Sequence, residues 1–493
     1  MQTVMQAPGS LFENTRYGIF IDNQWRDAAN GKTFAVDNPA LGTTLMMIPD
    51  AGRTETLAAI DAAHAALPMW SALPAIQRAD LLRKAAALMI ERRERLATIM
   101  TLEQGKPLAE SRGEITYAAS FLTWFAGEAE RVYGQIVPAS APNKRILVMR
   151  QPIGVCALIT PWNFPAAMLT RKLGPALAAG CTTICKPAEQ TPLSALELAQ
   201  IFLEAGFPAG VVNILPASDP IPFSETIFAD DRVRKISFTG STDVGKILIR
   251  NSAHTVKRLS LELGGNAPFI VFDDADLDAA VRGAIASKFR NTGQTCICAN
   301  RIFVQRGIYQ AFTERFTEEV SKLKVGDGLL PDSMIGPLID IAAREKVALH
   351  VNDALAHGAH LLLGGSPLAS DQNPSGRFWQ PTILANVSVD MLITQEETFG
   401  PVAPLIVFDN EDEVLARAND TPFGLAAYFF SRDISRVMRV AEKLEFGIIG
   451  ANDALPSTAQ APFGGVKQSG LGREGGSMGI DEYLEVKYVS LGI

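Results

Sequence analysis

The sequence predicts an α/β protein with two doubly wound lobes, and three observations carry the prediction. Between Arg145 and about Asn251, short apolar or β-branched runs alternate with longer helical patterns, and after Leu261–Gly265 a second alternation begins. Such a βαβ rhythm builds parallel sheets with helices on both faces. At 493 residues the chain also exceeds what one hydrophobic core usually organises.

A helical region from about Arg53 to Glu130 comes first. It includes the amphipathic stretch Ile76–Met100, which is expected to pack on an edge or face of the sheet. The first alternation predicts strands at Val155–Ile159, Thr182–Cys185, Val211–Leu215 and Lys235–Phe238. Helices at Ala166–Gly180 and Thr191–Gly206 lie between them, the second opening on Thr-Pro and stopping at a glycine. A boundary is expected near Glu262. Beyond it the second lobe reads as a strand at Phe269–Phe272 and helices at Asp276–Phe289, Val347–Ala359 and Glu411–Asp420. The closing run Tyr483–Leu491 alternates like an exposed strand, of the kind that pairs with another subunit or a distant hairpin.

A 47% hydrophobic and 20% charged composition without disorder-prone tracts predicts a fully folded chain. The net charge of -8 argues against a nucleic-acid backbone or an anionic membrane as partner, and leaves a small anionic substrate open. With no leader-like N-terminus and no apolar run near the roughly 20 residues of a membrane span, a cytoplasmic protein is expected. Five cysteines are too few and too unevenly placed for a disulfide framework, and Cys156, Cys181 and Cys185 read as small buried hydrophobes. The five histidines show no metal-ligand spacing, so no metal site is expected.

Cys296 is the first candidate for chemistry. The segment Ser287–Arg301 is an amphipathic helix that breaks at Asn291-Thr292-Gly293 and delivers the cysteine into a polar turn, where a thiolate can form and lose thioesters. No histidine lies in a motif-like loop, so another base is required. Glu262, ending a strand-like run and followed by Gly264 and Gly265, can border a cavity. In Ile159–Pro165 two prolines stiffen a turn presenting Trp162 and Asn163. An Asn amide can donate to an oxyanion, a contribution of about 3 to 4 kcal/mol in comparable sites. The GxGxxG dinucleotide fingerprint is missing after the first strand. Phosphate binding falls instead to Gly240 and Ser241 before a helix, and ribose binding to Lys186 and Glu189 at the end of another strand. Each string alone also fits ordinary loop or surface structure.

Together and in order, ITPWNFP, KPAEQTP, FTGST, LELGGNAP, GQTC, EETFGP and PFGGVKQSGLGRE closely resemble the aldehyde dehydrogenase superfamily over nearly the whole chain. The resemblance implies a cofactor domain (1–129 and 147–261), a catalytic domain (262–474) and a small β oligomerisation element (130–146 and 475–493), assembled as homodimers or homotetramers. It implies Cys296 as nucleophile, Glu262 as general base, and Asn163 with the Cys296 amide as oxyanion hole. Lys186 and Glu189 would hold the adenosine ribose, Ser241 a phosphate, and Glu397 with Phe399 the nicotinamide riboside; Thr160, Pro161, Trp162 and Gly240 complete the cofactor set. The Glu189 carboxylate can accept from ribose hydroxyls but would repel a 2′-phosphate by roughly 1 to 4 kcal/mol, so NAD is expected over NADP.

Within the superfamily, TRKLGPALAAGCT, SKFRNTGQTCICANR and GIDEYLEVKYV look most like succinate-semialdehyde dehydrogenase. There, arginines at the positions of Arg171 and Arg290, with a serine at Ser457, grip the distal carboxylate through bonds worth about 1.5 to 3 kcal/mol each. The plainer readings are a helix face for Arg171 and a helix C-terminus for Arg290. Ala454 and Pro456 depart from the glycine and aliphatic residue usual there, and Pro216–Pro220 lacks a glycine common after that strand. Glutarate semialdehyde or another ω-carboxylated aldehyde is therefore the nearest alternative substrate. A cofactor-independent cysteine hydrolase is the alternative outside the class, while Glu262 disfavours a CoA-acylating relative. Cys298, two residues from the nucleophile, reads either as a reversible disulfide partner or as a small buried neighbour.

Overall fold

A computed structural model describes residues 11–12 and 17–493. Among these residues the chain forms two large and two small sheets. The first large sheet runs in the order Gly470–Leu471, Arg258–Glu262, Val233–Thr239, Val155–Ile159, Thr182–Lys186, Val212–Ile214, Ile19–Ile21, Gln24–Arg26. From Arg258–Glu262 to Val212–Ile214 the strands are parallel; the flanking ones are antiparallel. The second runs His360–Leu363, Thr382–Ala385, Val402–Phe408, Ala299–Gln305, Ala267–Val271, Ala426–Phe430, Ile448–Ala451, parallel apart from the first pair. Buried on both faces, the central strands read as continuous apolar runs such as VCALI and APFIV, which is why the alternation was legible.

The helix Pro192–Ala205 opens with proline in its first turn and stops at Gly206, whose φ of 92° only glycine adopts freely. The helical region divides into Arg53–Ala72, Ala75–Glu91, Arg93–Gln104 and Leu108–Ala129. The stretch read as one amphipathic run breaks at Arg92 (φ -98°, ψ 16°), a bend that no proline or glycine announces. Helix Leu108–Ala129 packs on Pro165–Ala179 rather than on a sheet, which brings its side chains to the start of that helix.

The strands Ile19–Ile21 and Gln24–Arg26, and the hairpin Thr33–Asn38 with Thr43–Pro49, were not read from the sequence. They are edge and surface strands, too short or too exposed to show periodicity. The closing strand Leu484–Gly492 pairs along its length with Lys144–Pro152 of the same chain, and Gln135–Val137 completes a three-stranded sheet. Its surface leaves Tyr133, Ile136, Met149, Val486 and Tyr488 exposed. Lys144–Pro152 runs through the boundary expected at 146, and Gly470–Leu471 belongs to the first sheet although the expected catalytic segment ran to 474. Among the described residues no helix is long and apolar enough to cross a membrane.

The two large sheets meet where Glu262 ends a strand of the first and Ala267 begins one of the second. Leu158 is fully buried in the first sheet. Leu158→Ala is expected to cost about 2 to 5 kcal/mol, read as a lower urea midpoint; an unchanged midpoint contradicts the packing described.

Candidate active site

After helix Leu277–Phe289 the chain turns through Asn291 (φ 50°), Thr292 (φ 60°) and Gly293 (φ 76°), three successive left-handed residues. The first two are strained there, and their side chains hold them. The Asn291 N–H donates to Glu110 (2.8 Å), its side-chain amide donates to the carbonyls of Asn163 (3.0 Å) and Gln294 (3.2 Å), and its side-chain oxygen accepts from Gln104 (3.0 Å). Thr292 donates to the carbonyl of Gly336 (3.1 Å), and Gln294 accepts from the Ile339 N–H (2.9 Å). A β-carbon on Gly293 would stand 2.2 Å from the Gly400 carbonyl oxygen, so the turn admits only glycine. The result is a half-buried Cys296 on the wall of a cavity of about 420 Å³.

Asn163 lines the same cavity. One side-chain N–H donates to the carbonyl of Gln294 (3.1 Å), which leaves the other for a ligand. Its backbone oxygen also accepts from Lys106 Nζ (2.6 Å), and Lys106 is buried against Glu114 (2.6 Å). The second oxygen of Glu114 accepts from the N–H groups of Ala166 (3.0 Å) and Ala167 (3.2 Å), capping helix Pro165–Ala179.

Glu262 is buried and one of its oxygens has no hydrogen-bond partner. Burial, reinforced by Glu474, pushes its carboxyl well above the usual range, against Lys172, Arg171 and Arg473. Glu474 is ion-paired to Lys172, accepts from Ser237 (3.5 Å) and lies 3.8 Å from Arg171. Burial, then Glu397, pushes the Cys296 thiol up to about 12, with Arg171 opposing. Burial pushes Glu397 itself up to about 7. At neutral pH the thiol therefore keeps its proton until a base removes it.

Pro161, Trp162, Gly240, Ser241, Glu397 and Phe399 line the cavity. Ser241 caps helix Thr242–Ser252, accepting from the Val244 N–H (3.4 Å), so the positive end of that helix faces the cavity wall. Gly265 donates to Glu397 (3.4 Å), and a β-carbon on Gly264 would lie 3.1 Å from the same carboxylate. Phe399, itself left-handed (φ 55°), meets Trp162 edge-on at 5.5 Å. Glu189 lines a neighbouring hollow of about 280 Å³ that shares Ile339 and Asp340 with the first cavity. Buried Lys186 reaches Glu189 at 3.4 Å, and the Thr160 N–H donates to the Lys186 carbonyl (3.1 Å). An anion-favouring helix end at Ser241 with the Glu397 carboxylate on the same cavity wall, and the Glu189 carboxylate on the adjoining hollow, are groups whose chemistry fits a dinucleotide.

Arg171 and Ser457 come together through a residue that no motif announced. The Arg171 guanidinium, 1% exposed, donates to the Tyr117 hydroxyl (2.7 Å), and that hydroxyl is 2.5 Å from Ser457 Oγ. Arg171 Nε and Nη1 have no hydrogen-bond partner, and the ring of Phe463 lies 4.1 Å from the guanidinium carbon. Arg290 stands apart over the ring of Phe164 (5.2 Å), with no hydrogen bond or ion pair among the described residues. Cys298 is buried, its thiol directed at the Lys288 carbonyl (3.7 Å). Ala454 packs in the core with Phe430 and Phe463, so its departure from glycine acts on the packing behind the loop.

The sequence profile of the "Aldehyde dehydrogenase family" matches residues 25–489. The chain belongs to the aldehyde dehydrogenase family. It is 56% identical to the NADP+ succinate-semialdehyde dehydrogenase of Escherichia coli over 478 residues, covering 97% of this chain and 98% of the relative. It is 54% identical to the glutarate-semialdehyde dehydrogenase of Pseudomonas aeruginosa, with the same coverage. The crystal structure of succinate-semialdehyde dehydrogenase from Burkholderia pseudomallei superposes with a TM-score of 0.95 at 54% identity, covering 100% of both chains. This aldehyde dehydrogenase is accordingly an NAD(P)-dependent enzyme of aldehyde oxidation.

Lys106, Tyr117 and Glu474 carried no signal of their own. The first two lie in the helical region, far in sequence from their partners, and Glu474 sits in a quoted motif whose partners Lys172 and Ser237 only the fold reveals.

Two outcomes test this geometry. Lys106→Met strands Glu114 and removes a donor from the Asn163 carbonyl, which should cost about 3 to 5 kcal/mol; a variant as stable as the parent contradicts the role. Iodoacetamide alkylation of Cys296 in the cofactor-free enzyme should keep accelerating from pH 6 to pH 10 (~10-fold per unit while the thiol stays protonated). A plateau below pH 9 would show the thiol less buried than described.

Proposed function

We propose that this aldehyde dehydrogenase oxidises succinate semialdehyde to succinate with NAD as its preferred cofactor, and that it acts in the cytoplasm as a homodimer or homotetramer. The substrate reading rests on Arg171, a buried guanidinium tied through Tyr117 to Ser457, with two nitrogens lacking hydrogen-bond acceptors. A distal carboxylate supplies those acceptors, whereas a neutral aldehyde leaves the cation unpaired except for Glu474. Arg290, free of other ion pairs, is the second cation in this reading. The relatives named for succinate and glutarate semialdehyde support the same substrate class. Glutarate semialdehyde differs by one methylene, a difference worth only about 1 to 3 kcal/mol, and is the second candidate.

In this reading Cys296 gives up its proton to solvent and its sulfur adds to the aldehyde carbon. The resulting oxyanion is held by the free side-chain N–H of Asn163 and the Cys296 backbone N–H. Ser241, Glu397 and Glu189 would hold the nicotinamide cofactor, which would supply the acceptor for the hydride that leaves this carbon. Cys296 is then a thioester. Glu262, whose burial raises its carboxyl and so its strength as a base once ionised, takes a proton from water as the water oxygen attacks the thioester and then passes it to solvent. The carbon–sulfur bond breaks, the acid departs, and the sulfur is restored.

The preference for NAD rests on Glu189, which is partly exposed and offset only by Lys186, whose ammonium burial weakens. The Escherichia coli relative is named for NADP+, so the preference belongs to this chain's own residues. The exposed apolar surface of the three-stranded sheet supports the oligomer.

NAD reduction by the purified enzyme should favour succinic semialdehyde over butyraldehyde by about tenfold or more in kcat/KM. Tyr117→Phe should narrow that margin while sparing butyraldehyde. Equal turnover of butyraldehyde by the parent would remove the substrate assignment. Glu189→Ser should raise kcat/KM for NADP by roughly tenfold; no gain would detach the cofactor preference from this residue.

A further inference from the structure

Helix Ile341–Ala356 begins at the cofactor trough, where its cap Asp340 and its residues Ala342, Ala343 and Lys346 line the cavity. Along the same stripe, Val347 packs where a β-carbon on Gly400 would come within 2.4 Å, and His350 lies fully buried. His350 Nδ1 is 3.1 Å from Thr398 Oγ1 and Nε2 is 3.4 Å from a carboxylate oxygen of Glu396. Thr398 is itself buried, and it stands between Glu397 and Phe399, the two residues assigned above to the nicotinamide end.

On its other side the turn is held through its backbone. Asn300 donates to the Glu396 carbonyl (2.9 Å) and accepts from the Thr398 N–H (3.4 Å). The strand side thus fixes the main chain, while His350 fixes a side chain. Phe399, next along, adopts a left-handed conformation that a phenylalanine does not choose unaided.

We infer that His350 is a positioning residue for the cofactor: by holding Thr398 it sets the turn that presents Glu397 and Phe399 to the trough. The inference rests on reading that trough as the cofactor site. The arrangement suits a neutral imidazole, with Nδ1 accepting from the Thr398 hydroxyl and the proton on Nε2, which lies near Glu396 but makes no hydrogen bond, a tautomer assigned from the Thr398 contact. Burial, with Lys346 one turn earlier, lowers the proton affinity of the ring, against Glu396 and Asp353, so this form prevails at neutral pH. Thr398 lines the cavity and the His350 ring does not, so the ring acts through Thr398.

The test is a double-mutant cycle read by calorimetric NAD binding and by steady-state kinetics. His350→Leu removes both polar contacts, Thr398→Val removes only the hydroxyl, and His350→Asn keeps a polar atom near the position of Nδ1. His350→Leu and Thr398→Val should each weaken NAD binding by about 3- to 10-fold and raise the KM for NAD more than the KM for aldehyde. His350→Asn should recover most of the loss, and the double variant should be no worse than the poorer single one. If His350→Leu fails to fold, the isosteric Thr398→Val carries the test alone. Unchanged NAD affinity in folded Thr398→Val, additive losses in the double variant, or equal rises in both KM values would each overturn the positioning role. If the parent enzyme itself failed to bind NAD, the reading of the trough would fall instead.

Discussion

The carbonyl oxygen of Asn163 accepts two hydrogen bonds, from Lys106 Nζ at 2.6 Å and from the Asn291 side chain at 3.0 Å. Lys106 belongs to the buried loop between helices Arg93–Gln104 and Leu108–Ala129, Asn163 to the turn after a strand of the first sheet, and Asn291 to the strained turn before Cys296. One oxygen therefore ties three parts of the chain at the place where the sulfur must be presented. The contact lies in a dry interior, where the buried Lys106–Glu114 pair is maintained only because every partner is present. Glu114 closes the arrangement by capping the helix that carries Arg171 and Lys172, so Asn163 and the buried cations are fixed by the same pair.

Dryness also decides the electrostatics. Burial raises both Cys296 and Glu262, and each carboxylate nearby raises the sulfur further, while Arg171 works in the opposite direction. A thiol kept protonated at rest is protected from adventitious oxidation and becomes a nucleophile only when a base removes its proton. A carboxyl raised by the same environment is, once ionised, the kind of base that can activate water. Arg171 serves two fields at once, because it faces Glu474 on one side and the Tyr117–Ser457 pair on the other. The proposed substrate anion enters a balance of charges that the chain already maintains.

The rhythm of apolar runs and helices made both parallel sheets legible, because strands buried on both faces announce themselves over four or five residues. The turn at Asn291 was legible as a helix break, since Asn-Thr-Gly cannot continue an amphipathic pattern, although the two non-glycine left-handed residues were not. Side-chain partnerships were beyond reach: Tyr117 and Ser457 are separated by 340 residues, and neither lies in a pattern that points at the other. The bend at Arg92 and the short strands Ile19–Ile21 and Gly470–Leu471 depend on what packs against them, so local sequence carries no mark of them. Motif order supplied the family; the fold supplied the side chains that hold each motif in place, such as Lys106 on the Asn163 carbonyl and Tyr117 on Arg171.

The central claim is that Cys296 carries the acyl group and Glu262 releases it. Glu262→Gln incubated with NAD and succinic semialdehyde, quenched and digested, should yield the peptide bearing Cys296 with a hydroxylamine-labile succinyl thioester, formed together with one equivalent of NADH. Reduced cofactor without any acyl mark on Cys296, or an acyl mark on Cys298 in its place, would contradict it.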